Sequence, residues 1–288
     1  MNTCLFVTDL HGKMSRYEAL LKIIKKEKPD FVFIGGDLLP HKNFQLSNEV
    51  QYPIDFVRDF LIKKFSKLKK TMDCDYPEIF IIPGNDDRKI LFDATSEGEE
   101  SGLWRNLHNR CVVIGKYHLY GYACLPPTPF RMKDWERLDV SKEIEPGCIT
   151  PSDGFHSVPP DHDPQIATIQ QELQDLIKDD DMEFGILLFH SPPFQTFLDQ
   201  VVQPDGKFEE ELSYLNVGSK AIRSLIDIRQ PYITMHGHIH ESARISGEWR
   251  QLLGRTLALS AAHDGPELAL VKFELHEPLL ATRSILKV

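Results

Sequence analysis

Five apolar runs in this chain each stop at a side chain able to bind a metal ion. They read Cys4-Leu-Phe-Val-Thr-Asp9-Leu-His11, Phe31-Val-Phe-Ile-Gly-Gly-Asp37, Ile79-Phe-Ile-Ile-Pro-Gly-Asn85, Phe184-Gly-Ile-Leu-Leu-Phe-His190 and Tyr232-Ile-Thr-Met-His-Gly-His238-Ile-His240. Carboxylates, an amide oxygen and four imidazoles make a mixed oxygen and nitrogen sphere. Such a sphere suits Mn²⁺, Fe, Zn²⁺ or Co²⁺ and is too rich in nitrogen for a dedicated Ca²⁺ site.

Taken singly, each residue has an ordinary explanation. An Asp or Asn after a strand is commonly a turn residue, a lone buried histidine such as His190 is more often a hydrogen-bonded core group, and Gly-His-x-His fits an exposed loop. Five such elements, each closing an apolar run, favour convergence. Ligands of α/β sheets gather beyond the carboxyl ends of the strands. Asp9 and His11, like His238 and His240, lie two apart and are expected to project from one side of an extended segment, each pair gripping one ion. Gly35, Gly36, Gly84 and Gly237 precede these positions, where a missing Cβ permits a sharp turn or a close approach.

The elements that must hold these residues follow from periodicity. The opening is a βαβ unit: the run to Val7, an amphipathic helix from about Ser15 to Lys28 with a Ser15/Glu18 capping box, then Phe31 to Ile34. A second helix spans about Ile54 to Lys70. Cys111–Ile114 and His118–Tyr122, separated by Gly115 and Lys116, form a hairpin. Helices over Gln165–Lys178 and Gly218–Ile228 flank the run ending at His190, and short strands follow at Ser242–Ile245, Trp249–Leu252, Thr256–Ser260, Leu268–Leu275 and Leu280–Leu286. We expect one domain over 1–288 with a proline-rich insertion at about 126–164. The insertion is read as a cap or lid over the site, with an oligomer contact or a plain surface loop as alternatives.

Bulk properties narrow the class. The 288 residues carry 33 Lys and Arg against 43 Asp and Glu, a formal charge of -10 that disfavours nucleic acid as a partner. The cluster Lys63, Lys64, Lys67, Lys69 and Lys70 fits the solvated face of a helix. Five scattered cysteines without a Cys-x-x-Cys pair fit a reducing compartment. With no long apolar run and no signal-peptide core before Asp9, a cytoplasmic protein without membrane partners is expected. The oligomeric state stays open.

With its motifs in order, the chain resembles the calcineurin-like metallophosphoesterases. Their pattern Asp-x-His, Gly-Asp, Gly-Asn-His, His, Gly-His-x-His is matched by Asp9-Leu-His11, Gly36-Asp37, Gly84-Asn85-Asp86, His190 and Gly237-His238-Ile-His240. The resemblance implies an α/β fold, a four-layer α/β/β/α sandwich of two mixed sheets, with two divalent ions at the strand ends. By matched position, Asp9, His11 and His240 would hold one ion, Asn85, His190 and His238 the other, and Asp37 would bridge them. Mn²⁺ is the expected metal. A metal-bridging hydroxide would then attack a small phosphate ester in line.

The departure is Asp86, which stands where relatives carry the histidine thought to assist the leaving group. Beside two dications a carboxylate is held ionised and donates protons poorly. Its charge opposes a dianionic monoester more than a monoanionic diester unless Arg88 offsets it, so phosphodiesters are the expected substrates and Asp86 and Arg88 the candidate catalytic residues. Alternatively Asp86 pairs with Arg88 while His41, His156 or His162 supplies the proton. A phosphomonoesterase, or a weakly catalytic interaction scaffold keeping the fold, are the competing readings. Pro40 and His41 after Gly36-Asp37 depart from the pattern of Ser/Thr protein phosphatases and speak against that activity.

Overall fold

The computed structural model describes residues 2–40, 55–202 and 214–288. Its strands are β1 (Thr3–Val7), β2 (Phe31–Gly35), β3 (Glu78–Ile82), β4 (Arg105–Asn106), β5 (Arg110–Ile114), β6 (Tyr117–Tyr122), β7 (Gly185–Phe189), β8 (Gln200–Val202), β9 (Tyr214–Asn216), β10 (Ile233–His236), β11 (Arg250–Leu253), β12 (Thr256–Ser260), β13 (Leu268–Glu274) and β14 (Thr282–Leu286). The helices are α1 (Met14–Glu27), α2 (Lys63–Met72), α3 (Lys89–Phe92), α4 (Thr95–Glu100), α5 (Ile169–Ile177), α6 (Lys220–Arg229) and α7 (Ser242–Ser246).

Two six-stranded sheets form, ordered β14-β13-β1-β2-β3-β4 and β11-β12-β10-β7-β6-β5. The inner strands are parallel, β1 to β2 to β3 and β6 to β7 to β10 to β12, while β13 and β14 on one sheet and β5 and β11 on the other run antiparallel to their neighbours. Both sheets are therefore mixed.

Alternation along the strands of the second sheet builds the layers. Ile186 and Leu188 of β7, Leu257 and Leu259 of β12 and Leu119 of β6 belong to the core shared with β1, β2 and β3. Their neighbours Leu187, Phe189, Ala258, Tyr120 and Tyr122 point the other way, onto Ile169, Leu173 and Ile177 of α5 and Ala221, Ile222 and Ile226 of α6. Side chains of successive strand residues face opposite sides, so a strand buried on both faces reads as continuously apolar. On the first sheet, Tyr17, Leu20 and Ile24 of α1 and Phe65, Leu68 and Met72 of α2 join the buried core. The result is the expected α/β/β/α sandwich.

Several local expectations need correction. Ser15 and Glu18 form no capping box: α1 starts after Lys13 without a side-chain cap, and Glu18 instead meets Lys64 at 2.8 Å. The start of the expected second helix, Ile54, lies outside the described residues, and its continuation is π-helical over Val57–Ile62 before α2 begins. Ser242–Ile245, expected as a strand, lies in α7, which ends at Gly247 with φ 76°. A glycine in that conformation is the usual helix stop. True side-chain caps do occur at Thr168, which accepts from Gln171 N at 3.2 Å, and at Ser219, which accepts from Ile222 N at 3.1 Å. Of the lysines of α2, Lys67 and Lys70 are exposed, Lys63 pairs with Asp59 and Lys64 with Glu18, and the half-buried Lys69 donates to the backbone oxygens of Ser101 and Gly102.

Residues 126–164 contain isolated bridges and turns only. They are nonetheless tied down internally: the wholly buried Lys133 pairs with Glu136 and donates to Thr128 O at 2.9 Å. Among the described residues, no helix is long and apolar enough to cross a membrane.

Candidate metal centre

Asp9, Asp37 and Asn85 lie just past the ends of β1, β2 and β3, and His190, His238 and His240 just past β7 and β10. The first three come from one sheet and the last three from the other. The loops after β1 and β2 run side by side, with Asp9 N donating to Gly36 O at 3.0 Å and His11 N to Asp37 O at 2.7 Å. Across the sheets, His238 N lies 3.2 Å from both Asp9 carboxylate oxygens and His190 Nδ1 lies 2.8 Å from Gly35 O.

The expectation of extended segments at these positions is overturned. Asp9, His11, Asp37 and His238 have φ of 56°, 48°, 52° and 70°. That left-handed region costs an L residue on the order of 1–3 kcal/mol, and surrounding structure must hold it. Asp9 and His11 fall in one group of donors, whereas His240 joins that group and His238 lies against His190, so the second pair does not grip one point jointly.

Two groups result. In the first, Asp9, His11, Asp37 and His240 each offer a donor atom within 4.8 Å of all the others. His240 Nε2 is 3.4 Å from Asp9 Oδ1, His11 Nε2 is 3.8 Å from Asp37 Oδ2, and the two imidazole Nε2 atoms face each other at 3.1 Å. In the second, His190 Nε2 is 3.0 Å from Asn85 Oδ1 and 3.5 Å from Asp37 Oδ2, while the His190 and His238 rings are 5.2 Å apart. Asp37 touches both groups.

The donor chemistry fits a cation. Beside a carbonyl oxygen, His190 Nδ1 must carry the proton, so in the neutral ring Nε2 presents a lone pair toward Asn85 Oδ1 and Asp37 Oδ2. Asn85 Nδ2 donates to Asp86 Oδ1 at 3.2 Å, which fixes the amide orientation. Acceptors facing one another in a buried place are stable only around a positive charge.

Acid–base properties carry the same message. Burial opposes charging His190, but the Asp37 carboxylate outweighs it and raises the ring to about 10. Burial likewise opposes His11, and Asp86, Asp37 and Asp9 raise it to about 9. Against burial, His240 and His190 lower Asp9 to about 2, and His190 and His11 hold Asp37 well below the usual carboxylate range. His240 is raised by Asp9 despite its burial, and His238, desolvated and beside His190, falls to about 3.

Glycine is required at two points. Gly36 has φ 103°, and a Cβ there would lie 2.5 Å from His190 Nδ1. At Gly84 a Cβ would lie 2.2 Å from Asp37 Oδ1. Both contacts are closer than atoms tolerate.

Asp86 sits at the edge of the first group, its side chain 23% exposed. Its backbone N–H donates to Asp37 Oδ1 at 2.8 Å, and its Oδ2 forms an ion pair with His11, 3.4 Å from Nδ1. Arg88 precedes α3, partly exposed. His156 Nε2 lies 2.8 Å from Pro151 O and His162 Nδ1 3.0 Å from Asp161, both pairs within the insertion, and His41 lies outside the described residues.

The ordered ligand motifs on strand ends of a two-sheet sandwich agree with a family match. The family model described as calcineurin-like phosphoesterase matches residues 3–242. The chain belongs to the calcineurin-like phosphoesterases. It is a metal-dependent phosphoesterase, a hydrolase acting on phosphate esters. No curated protein matches this phosphoesterase. A solved structure from Thermus thermophilus is similar to it at 15% identity and TM-score 0.55, covering 99% of each chain. A solved dimetal phosphatase from Danio rerio is similar at 10% identity and TM-score 0.50, covering 94% of this chain and 91% of that one. These likenesses are of fold.

Three supporting residues of this phosphoesterase escaped the sequence reading. Asp87 is fully buried, and its carboxylate accepts from Leu38 N at 3.0 Å, Leu39 N at 2.7 Å and Gly84 N at 2.9 Å. It ties the loop bearing Asp37 to the loop bearing Asn85. Burial, with Asp37's charge, raises it to about 7. Arg16, buried in the first turn of α1, donates to the backbone oxygens of Asp9 and Gly265. Tyr17 donates to Leu38 O at 2.8 Å. The cue available for Asp87 was the spacing of three from Gly84 in Gly-Asn-Asp-Asp, which suits a side chain turning back onto a backbone N–H.

Proposed function

We propose that this phosphoesterase hydrolyses small phosphodiesters with a dinuclear centre of Mn²⁺, held by Asp9, His11 and His240 on one side and Asn85, His190 and His238 on the other, with Asp37 shared. The carrying observation is Asp37 Oδ2, which stands 3.8 Å from His11 Nε2 and 3.5 Å from His190 Nε2, between the two groups. The Danio rerio neighbour is a dimetal phosphatase, which supports the same nuclearity. When bound, two such ions supply Lewis acidity to both a water and the phosphoryl group.

The chain's own residues do the rest. Asp9 and Asp37 keep the site anionic so that dications are favoured, and Gly36 and Gly84 keep side chains out of their approach. Asp86 places a second layer of negative charge on the rim, which opposes a dianionic monoester more than a diester. A phosphomonoesterase is the second reading, favoured by the partly exposed Arg88, two positions after Asp86 in the chain, whose charge would offset that of the carboxylate. We read residues 1–288 as one domain with 126–164 as its insertion. Cys4, Cys74, Cys111, Cys124 and Cys148 are all free thiols, which supports a reducing, cytoplasmic setting.

The test compares Mn²⁺-loaded protein on an aryl phosphodiester and the matching aryl monophosphate, with metal content measured. Two ions per chain and a higher kcat/KM on the diester are expected. Preference for the monoester transfers the assignment to the second reading, and one ion per chain removes the dinuclear one.

A further inference from the structure

The best-buried part of the proline-rich segment is directed at the loop that carries Asn85. Asp134, 6% exposed, accepts the Lys89 N–H at 2.8 Å and the Ser157 N–H at 2.7 Å, and Ser157 Oγ accepts the Ile90 N–H at 3.1 Å. Trp135, 5% exposed, donates its indole N–H to the backbone oxygen of Asp87, with its ring edge-on to Phe92 at 5.7 Å and His108 at 5.1 Å. Asp161 meets Lys89 Nζ at 3.0 Å.

These contacts answer a local need. Lys89 and Ile90 open α3, a helix of 4 residues, and their N–H groups have no partner within it. A helix that short has no stability of its own. Asp134 and Ser157 take those donors, and Trp135 holds Asp87 one step earlier. Inward from there, the Asp87 carboxylate grips Gly84, Leu38 and Leu39. Asn85 and Asp86 are thus suspended between a residue held by Asp87's side chain and a backbone held by Trp135.

We propose that Asp134 and Trp135 are positioning residues that clamp 87–90 and thereby set the place of Asn85 in the metal centre. The segment 126–164 is then a brace for one metal position. This rests on the reading of Asn85 as a ligand of the second ion. Partners in contact with a ligand typically cost about 10–100-fold in metal affinity when removed, and Asp134 and Trp135, one layer further out, fall at the low end of that range.

The experiment titrates metal-free full-length wild type, Trp135→Phe, Asp134→Asn and the control Thr150→Ala with Mn²⁺ by calorimetry, and records the melting temperature of each metal-free protein. Trp135→Phe keeps an aromatic ring but removes the N–H and part of the ring volume; Asp134→Asn keeps the size and turns one acceptor into a donor. Thr150 bonds Ser152 and Asp153 within the segment and touches none of 87–90. In both clamp variants one ion should weaken about 10-fold while the other stays within about 2-fold. The lost buried bonds lower the melting temperature of both variants, so the ion that keeps its affinity separates a local clamp from general damage. Both ions held as in wild type, or both weakened by the same factor, would overturn the clamp. If wild type takes one ion, the dinuclear reading fails by itself, and the clamp stands or falls on whether that ion weakens in the two variants while Thr150→Ala holds it as wild type does.

Discussion

Asp86 Oδ2 lies 3.4 Å from Nδ1 of His11, while Nε2 of the same ring faces His240 and Asp37. A carboxylate on the far nitrogen of a metal-binding imidazole fixes its tautomer and orientation and raises its basicity. With His11 as the proposed ligand, that geometry gives Asp86 a positioning role, distinct from proton donation. Replacing Asp86 by Ala should weaken Mn²⁺ binding about 10-fold or more, with Asp86→Asn intermediate. Calorimetric titration checks it; unchanged metal affinity, with loss of the alkaline limb of the pH–rate profile, would assign Asp86 the acid's part instead.

Gly84→Ala places a methyl 2.2 Å from Asp37 Oδ1. The loop between β3 and α3 must shift, moving Asn85 with it. Activity should fall at least about 100-fold, as displacements near 1 Å do at metal and catalytic sites, while far-ultraviolet circular dichroism remains that of the wild type. Wild-type turnover in the variant would contradict the geometry.

Asp87→Ala removes three acceptor contacts from buried N–H groups. Each orphaned donor costs about 1–3 kcal/mol, so urea denaturation should show a loss of several kcal/mol. Asp87→Asn, which keeps one oxygen, should lose less. Equal stability of both variants and wild type is the outcome that refutes this.

His236 supplies a pH dependence of stability. It is buried and stacked on Phe189 at 5.6 Å, with Nδ1 at 2.9 Å from Ser191 O and Nε2 at 2.8 Å from Thr234 Oγ1. Burial lowers it to about 4 against an ordinary 6.5. Below pH 6.5 the unfolded chain takes up a proton that the folded one refuses. Stability from this group is whole above pH 6.5 and drains away as pH falls toward 4, by about 3 kcal/mol at most. Denaturation at about pH 7.5 and about pH 5 should show the decline, reduced in His236→Gln; identical slopes in the two proteins would exclude His236 as its source.

Metal uptake should release protons. With His11 raised to about 9 and His190 to about 10, both rings carry a proton at about pH 7 until an ion takes its place. Affinity therefore rises with pH across the neutral range. Calorimetry in buffers of differing ionisation enthalpy measures the protons released, and buffer-independent heats would contradict the assignment.

The sheets and the ligand motifs were legible because apolar runs of β-branched and aromatic residues ending in polar ones state both a strand and its destination. Backbone conformation was less so: nothing in Asp9-Leu-His11 announces left-handed φ, since tertiary hydrogen bonds such as Asp9 N to Gly36 O impose it. The Ser15/Glu18 pattern misled because Lys64, distant in sequence, offers Glu18 a partner. Asp87 hid behind Asp86 because its role depends on loops brought together from two strands. The bracing contacts of Asp134 and Trp135 join segments with no shared periodicity, and no local rule points to them.

One consequence reaches into how the centre is assembled. Four candidate ligands come from beyond the ends of β1, β2 and β3, the other three from beyond β7 and β10, and His11 and His240 meet across 229 positions of chain. Contacts so distant in sequence are the slowest to form and are rewarded last. On the proposed ligand set, the metal would enter a site that exists only after the two sheets have docked, and would act as a rivet across them. Extracting it should loosen the seam between the halves of the sandwich before it disturbs either sheet alone.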